Sequence, residues 1–357
     1  MTSTDDGLLK TNNQNPLVSI IILNYNAGEL LIECIDSIKK SSFNNYEIIL
    51  VDNNSKDDSH TACKEKFPDI KLIENSENLG YCEGNNVGIR IAQGEFIVIL
   101  NPDTIVKSNW LEELISAYEE NGEGFYQPKF LATSEKSLLL STGNMMQIFG
   151  FGYARSKGET DKKQYETFEK INYASGTCLF TSKNVLDSIG LFDSFLFAFH
   201  DDLELCLRGR MNNIFSFYVP KSIVYHPVEG TSFKWSPLKF KLLERNRKYC
   251  LLTLYDRSTF FRMLPALFLV DIAVFFFYMR KGLLKMKISA DVEILKSFKT
   301  INKKYSENQK IKKLSDKELI SELKNEVNVP SWVLNNKINQ VFNNFLVSLS
   351  KITRKFI

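Results

Sequence analysis

Histidine is scarce in this 357-residue chain: three residues, at positions 60, 200 and 226. The six cysteines, at 34, 63, 82, 178, 206 and 250, form no Cys-x-x-Cys pair. A structural zinc site is thereby disfavoured, and so is a disulfide framework. No Gly-x-Gly-x-x-Gly follows the first apolar run and no Gly-Lys-Ser/Thr occurs, which argues against a dinucleotide dehydrogenase and a P-loop enzyme. Charge of one sign is also lacking. With 45 Lys and Arg against 42 Asp and Glu, the net +3 makes no case for nucleic-acid binding. The first sixteen residues are polar and have no apolar core, so they do not read as a signal peptide but as a flexible N-terminus, residues 1–16. The body is expected to face a reducing cytoplasm.

What is present is an ordinary globular composition, 44% hydrophobic and 24% charged. From Val18 onward, short β-branched runs alternate with amphipathic stretches. Val18–Leu23, Glu47–Val51, Ile70–Ile73 and Phe96–Leu100 read as strands. Leu30–Ile38, Asn85–Ala92 and a segment from an N-cap at Ser108 to about Glu120 read as helices. Such alternation predicts a mostly parallel sheet covered on both faces, with ligands bound beyond the carboxyl ends of its strands. The residues there are Asn24 and Asn26 after the first strand, Asp52 and Asn54 after the second, and Asn101 and Asp103 after the fourth. They are amides and acids, not a glycine-rich phosphate loop. An acid at a strand end suits a hard cation that neutralises a diphosphate.

Five stretches in the first third of the chain carry a resemblance: Val18–Asn26, Val51–Ser55, Glu77–Tyr81, Asn86–Gly88 and Asn101–Asp103. Ser175–Thr177, Gly190–Asp193 and Asp201–Arg208 continue it in order. Together they resemble the family 2 glycosyltransferases, in the branch that includes rhamnosyltransferase-like enzymes of cell-surface polysaccharide assembly. The resemblance implies an α/β GT-A nucleotide-sugar-binding fold, a mostly parallel mixed sheet flanked by helices. It implies a nucleotide-diphosphate sugar donor touched by Asn24, Asn26, Asp52, Asn54, Asn78, Gly80, Asn86 and Asn101. It also implies a divalent cation, Mg²⁺ or Mn²⁺, at Asp103 and His226. Many relatives have Asp-x-Asp where this chain has Asn101-Pro102-Asp103, so one charged ligand is missing. Asp202 occupies the position of the family's catalytic base, with Asp201 in support. His60 and His200 are given no role.

Residues 260–279 are almost wholly apolar but include Arg262, Pro265 and Asp271, and Arg280, Lys281, Lys285 and Lys287 follow at once. Aromatic and basic residues mix upstream, at Phe233, Trp235, Phe240 and Tyr249, and Arg245–Arg247 resembles the family's approach to a membrane segment. The expectation is a membrane-facing helical region, interfacial or spanning, on the cytoplasmic face of the cell membrane. Domains are expected at 17–232 (catalytic), 233–288 (membrane-associated) and 289–357, a basic helical tail ending in a helix over Trp332–Ile352. The expected function is inverting transfer of a sugar to a hydroxyl of a glycan or polyprenyl-linked saccharide. The competing expectation is a catalytically silent nucleotide-binding scaffold subunit on the membrane. A nucleotidyltransferase is disfavoured because no Gly-rich basic loop follows the first strand.

Overall fold

The computed structural model describes residues 17–228, 236–327 and 336–357. The N-terminus 1–16, Phe233, Trp235, the 232/233 boundary, Trp332 and Val333 lie outside the described residues.

The β-branched runs form the centre of the sheet. Strand β1 (Val18–Asn24) pairs in parallel with β2 (Tyr46–Asp52), which pairs with β3 (Lys71–Glu74). On its other side β1 pairs in parallel with β4 (Phe96–Leu100). Ile21 points into one core while Val18, Ile20 and Ile22 point into another, which is why the run is continuous rather than alternating. Helices α1 (Glu29–Lys39), α2 (Ser59–Lys66) and α3 (Gly80–Ile91) make the crossovers. Two expectations are corrected here. Helix α3 starts at Gly80, five residues earlier than the periodicity of 85–92 implies. Helix α4 (Trp110–Asn121) has Asn109, not Ser108, at its N-cap.

The second half of the sheet is mixed. β5 (Ile105–Val106), β6 (Gly124–Ala132), β7 (Leu139–Ser141), β10 (Glu169–Ile171), β11 (Cys178–Ser182) and β12 (Phe215–His226) belong to it, and β8 (Asn144–Met146) pairs separately with β9 (Gly152–Ala154). The path runs β10-β12-β6-β11-β4-β1-β2-β3, with β11 antiparallel to both β4 and β6. Helix α5 (Lys183–Ile189) leads to α6 (Asp201–Met211), whose first turn carries the paired aspartates.

Six helices follow: α7 (Pro237–Leu254), α8 (Arg257–Arg280), α9 (Leu284–Lys296), α10 (Phe298–Ile311), α11 (Asp316–Ser321) and α12 (Asn336–Thr353). They share one core with the sheet. Ile21, Ile99 and Leu205 belong to the same cluster as Leu251, Val270, Ile294, Ile301, Leu319 and Leu346. The expected 288/289 boundary falls inside α9, and the described residues after it pack on the rest of the chain. Gln147 donates to Ser350 at 3.0 Å, and Arg354 reaches the Leu323 carbonyl at 2.6 Å. Among the described residues α8 is the one helix long and apolar enough to cross a membrane. One side of it, with Met263, Ala266, Val270, Val274 and Tyr278, is buried on the protein. The other exposes Phe261, Leu264, Phe268, Leu269, Ile272, Phe275, Phe276 and Met279. All six cysteines are free and buried.

Helix α6 is anchored by a buried charge pair. Arg208 meets Glu204 through Nε at 2.9 Å and Nη2 at 2.7 Å, and also donates to the Ile189, Gly190 and Leu191 carbonyls at the end of α5. Arg208→Met strands the Glu204 carboxylate and three carbonyls in the core, so unfolding stability should fall by about 3–5 kcal/mol. Urea denaturation of the variant tests this, and a cost below about 1 kcal/mol would show that the pair behaves like a surface ion pair.

Candidate active site

The carboxyl ends of β1, β2 and β4 open into a cavity of about 450 Å³. Its strand-end wall is made by Leu23, Tyr25, Asn53, Asn78, Gly80, Asn101, Pro102 and Asp103. Facing them are Ser175–Thr177, Phe199–Leu203 and His226, with Lys157, Lys239 and Leu243 further along the wall.

Asp103 and His226 are distant in sequence but meet in space. β5 pairs with the end of β12, Ile105 opposite Tyr225, and this register brings the two residues beside each other. His226 Nε2 lies 3.2 Å from Asp103 Oδ1, and the aspartate is buried. One carboxylate and one imidazole on a cavity wall form a donor set that fits Mn²⁺ or Mg²⁺ with ligand oxygens completing it. Glu244, Asp271 and Asp291 also converge, between α7, α8 and α9. There the positive charge comes from the protein. Lys287 lies 2.8 Å from Asp271 and 2.7 Å from Asp291, and Lys248 lies 2.7 Å from Asp271. That cluster is an ion-pair network rather than a cation site.

Asp201 and Asp202 stand at the start of α6 because the preceding loop is forced into position. Phe197, Phe199 and His200 all have left-handed backbones, with φ of 63°, 67° and 60°. Non-glycine residues hold such angles only where surrounding contacts over-determine them. Here they do. Asn246 Nδ2 sits 2.7–3.0 Å from the carbonyls of Leu196, Ala198 and Phe199. Arg245 donates to the carbonyls of Phe195 and Leu196. From the other side, the amides of Tyr81 and Cys82 donate to the Phe197 carbonyl. Gly80 has φ of 77°, and a Cβ there would stand 2.6 Å from that carbonyl oxygen, so glycine is required on both counts.

The Asp202 carboxylate accepts from the Gly176 amide at 3.0 Å and from the Leu203 amide at 2.8 Å. Burial raises the pKa of both aspartates, and Asp201, which also faces the charge of Asp202, is raised furthest. His200 is half-buried with Nε2 3.1 Å from the Gly150 carbonyl, and desolvation pushes its pKa down to about 4, so the ring is neutral.

The residues expected at the donor divide into two groups. Asn78, Gly80 and Asn101 line the cavity. Asn24, Asn26, Asp52, Asn54 and Asn86 do not. Asn24 Nδ2 lies 2.8 Å from Asp52 Oδ1 and 2.8 Å from Ser59 Oγ, while Asp52 Oδ2 accepts from the Ser55 amide. Asn26 and Asn54, both left-handed, brace the same loop through Lys56 and Ser76. Asn86 is corrected to a structural role. Its amide exchanges two hydrogen bonds with the Phe192 backbone, at 2.9 and 3.1 Å, which uses both ends. His60, given no role from sequence, lies 3.5 Å from Asp52 and 3.3 Å from Glu74.

Several wall residues escaped the sequence reading. Asn53 ties Asn75, Asn78 and Gly80 together. Tyr81 donates to the Gly176 carbonyl at 2.6 Å, fixing the segment whose amide holds Asp202. His200 caps α6 and lines the cavity. Adjacency to Asp52 and Asp201 was the available signal for Asn53 and His200; Tyr81 had only its place next to Gly80.

These features define a GT-A-like α/β fold, with a mixed sheet whose strand ends face paired carboxylates. Residues 19–190 match the model of glycosyl transferase family 2. The chain is 26% identical over 257 residues to the low-salt glycan biosynthesis hexosyltransferase Agl10 of Haloferax volcanii, covering 68% of this chain and 77% of that one. It is 24% identical over 238 residues to an N-acetylglucosaminyl-diphospho-decaprenol L-rhamnosyltransferase of Mycobacterium tuberculosis, covering 59% and 76%. In fold it matches the mannosyltransferase PcManGT of Pyrobaculum calidifontis, solved with GDP-Man and Mn²⁺, with a TM-score of 0.51, 14% identity and coverage of 96% and 87%.

The raised pKa of the aspartate pair has a stability consequence. Folding favours the protonated carboxyls, so their contribution is full below the ordinary aspartate range and is lost as pH rises through the raised folded-state values. Asp201→Asn should therefore raise the thermal midpoint at pH 7–8, and the gain should shrink as the pH falls toward 4. Thermal scans across that range check it; a gain independent of pH would mean that charge burial is not its source.

Proposed function

We propose that this chain is an inverting glycosyltransferase that moves a hexosyl or deoxyhexosyl group from a nucleotide-diphosphate sugar to an acceptor hydroxyl. The observation that carries the reading is the Asp202 carboxylate, held by the Gly176 amide on the cavity wall that faces the strand ends. An acceptor hydroxyl becomes a competent nucleophile when its proton is taken as the sugar–phosphate bond breaks. Asp202, whose carboxylate is held by the Gly176 and Leu203 amides, takes that proton. A single in-line displacement then inverts the anomeric centre. Asn78, Gly80 and Asn101 face the donor across the cavity, and Asn24, Asn26, Asp52 and Asn54 shape the loop at which the nucleoside end sits. Asn86 supports them through the Phe192 backbone. Asp103 and His226 would hold Mg²⁺ or Mn²⁺, which would offset the charge of the departing diphosphate. Mn²⁺ beside GDP-Man in the fold neighbour supports that assignment.

The acceptor is proposed to be a glycan or saccharide on a polyprenyl carrier, in keeping with the diphospho-decaprenol acceptor in the name of the mycobacterial relative. The exposed side of α8 supports a membrane-surface location on the cytoplasmic face. Because its opposite side is packed on the protein, α8 suits insertion into one leaflet better than an independent span. Arg262, Arg280, Lys281 and Lys285 border the apolar face and match anionic headgroups. The domain reading becomes a catalytic body from residue 17 and helices α7–α12 docked on it, with no independent C-terminal unit.

Two measurements test these readings. Asp202→Asn should lower turnover by roughly 10²–10⁴-fold with donor affinity kept within about twofold, whereas Asp103→Ala should weaken Mn²⁺-dependent nucleotide-sugar binding in calorimetry. Near-wild-type turnover of Asp202→Asn sinks the base assignment, and donor binding without any turnover in the wild type favours the scaffold role. In vesicle flotation, Phe268→Asp with Phe276→Asp should release the protein from liposomes containing anionic lipid; undiminished flotation places the contact elsewhere.

A further inference from the structure

One wall of the cavity carries a chain of hydrogen bonds whose last donor is left over. It begins in the segment that holds Asp202. The Ser175 amide donates to Gln127 Oε1 at 2.9 Å, while the next amide, that of Gly176, donates to Asp202. With its oxygen so engaged, Gln127 turns Nε2 to Ser141 Oγ at 3.0 Å. Ser141 Oγ also accepts from the Gly143 amide at 3.2 Å, so its own proton goes to Asn144 Oδ1, 2.8 Å away. Each bond thus fixes the orientation of the next group. Gln127, Ser141 and Asn144 are all buried. Asn144 Nδ2 ends the chain with no partner among the described residues, and Asn144 lines the cavity.

Tyr173 stands beside it. Asn144 and Tyr173 form an antiparallel bridge, exchanging amide-to-carbonyl bonds at 3.3 and 3.2 Å, and residues paired in this way put their side chains on the same face. Tyr173 is also buried and lines the same cavity. Its hydroxyl has no hydrogen-bond partner among the described residues, although a buried phenol usually finds one. Space is kept for it, since a Cβ on Gly152 would stand 2.6 Å from the Tyr173 oxygen. Burial, and then the charge of Asp202, raise the phenol well above its ordinary pKa, so it stays a neutral donor. Two unpartnered donors on buried side chains therefore share one cavity with Asp202. Paired carboxylates disfavour an anion beside them. A sugar hydroxyl, which donates and accepts at once, suits all three groups.

We propose that Asn144 Nδ2 and the Tyr173 hydroxyl form a subsite for a neutral saccharide, which grips the acceptor's sugar ring by its hydroxyls and turns one of them toward Asp202. The amide chain that ends at Asn144 and the bond that holds Asp202 start from neighbouring peptide units, so one segment sets both the grip and the carboxylate. The subsite rests on the glycosyltransferase reading for the role of that hydroxyl, but not for the binding of the sugar.

The full chain and its Tyr173→Phe and Asn144→Asp variants are titrated with the methyl glycosides of glucose, galactose, mannose, rhamnose and N-acetylglucosamine, followed by ligand-observed NMR. UDP-, dTDP- and GDP-sugars with Mn²⁺ are titrated in parallel by calorimetry. Tyr173→Phe removes a hydroxyl that bonds nothing in the protein, so its thermal midpoint should match that of the wild type. Asn144→Asp keeps the acceptor that Ser141 needs and loses the free donor. The expected result is that at least one glycoside binds the wild type and weakens about fivefold in each variant, with nucleotide-sugar affinity unchanged. Equal weakening of a nucleotide sugar overturns the proposal and puts the two residues on the donor. Glycoside binding that is unchanged in either variant, or absent in the wild type, overturns it as well. A lowered midpoint for Tyr173→Phe makes the hydroxyl a structural group and removes it from the subsite. Glycoside binding that depends on both residues, with no nucleotide sugar bound by the wild type, counts against the glycosyltransferase reading and leaves the subsite standing.

Discussion

The structure depends on a short loop that the chain would not adopt unaided. Three consecutive-but-one bulky residues, Phe197, Phe199 and His200, are held left-handed, each at a cost of order 1–3 kcal/mol. The compensation is local and polar. Asn246 and Arg245 satisfy the loop carbonyls on one side, and the first amides of α3 satisfy Phe197 on the other. The loop is thus clamped between the crossover helix next to the donor wall and the first helix of the C-terminal set. Its product is the placement of two carboxylates at the mouth of α6. Asp201 is buried and Asp202 half-buried beside it, and two carboxylates so close are unfavourable for folding when both are charged.

The sheet supplies the second half of the site by register alone. Parallel pairing of β1 with β2 sets Asn24 opposite Asp52, and the β5–β12 pairing sets Asp103 beside His226. Neither pair is near in sequence. Both follow once strand order is fixed, because the residue after a strand inherits its neighbour from the ladder.

That explains which parts were legible beforehand. Continuous β-branched runs announced the central strands to within one or two residues, since burial on both faces leaves little else for Val18–Leu23 to do. Motif order singled out Asp103 and Asp202, and the structure places both on the wall of one cavity with His226. Asn86 was misread because an amide in a motif looks the same whether it faces a ligand or, as here, the Phe192 backbone 106 residues away. Ser108 looked like a cap by type, but the helix begins one residue beyond Asn109, so Ser108 is left outside it. Lys157 and Lys239 carried no local signal at all. Nothing in the sequence around either shows that a small hairpin and a distant helix share one cavity wall.

Helix α7 shows most clearly why the C-terminal region cannot be treated as an appendage. Glu244, Arg245, Asn246 and Arg247 are four successive polar residues, all buried. Arg245–Arg247 resembles the family's approach to a membrane segment, and in the structure these residues and Tyr249 pack inward, just before α8. Arg245 and Asn246 hold the catalytic loop, and Arg247 pairs with Glu244 at 2.8 Å and donates to the Phe149 carbonyl. Tyr249 donates to Asp193 at 2.6 Å. Glu244 also meets Lys287 of α9 at 3.4 Å, and Lys287 in turn binds Asp271 of α8. Such a chain of buried charges is costly unless every member is paired, so each helix fixes the next. The network turns Asp271 inward, and this leaves the outer side of α8 wholly apolar at its centre. The same polar residues that hold the loop before Asp201 and Asp202 therefore also set which face of α8 stays exposed and apolar.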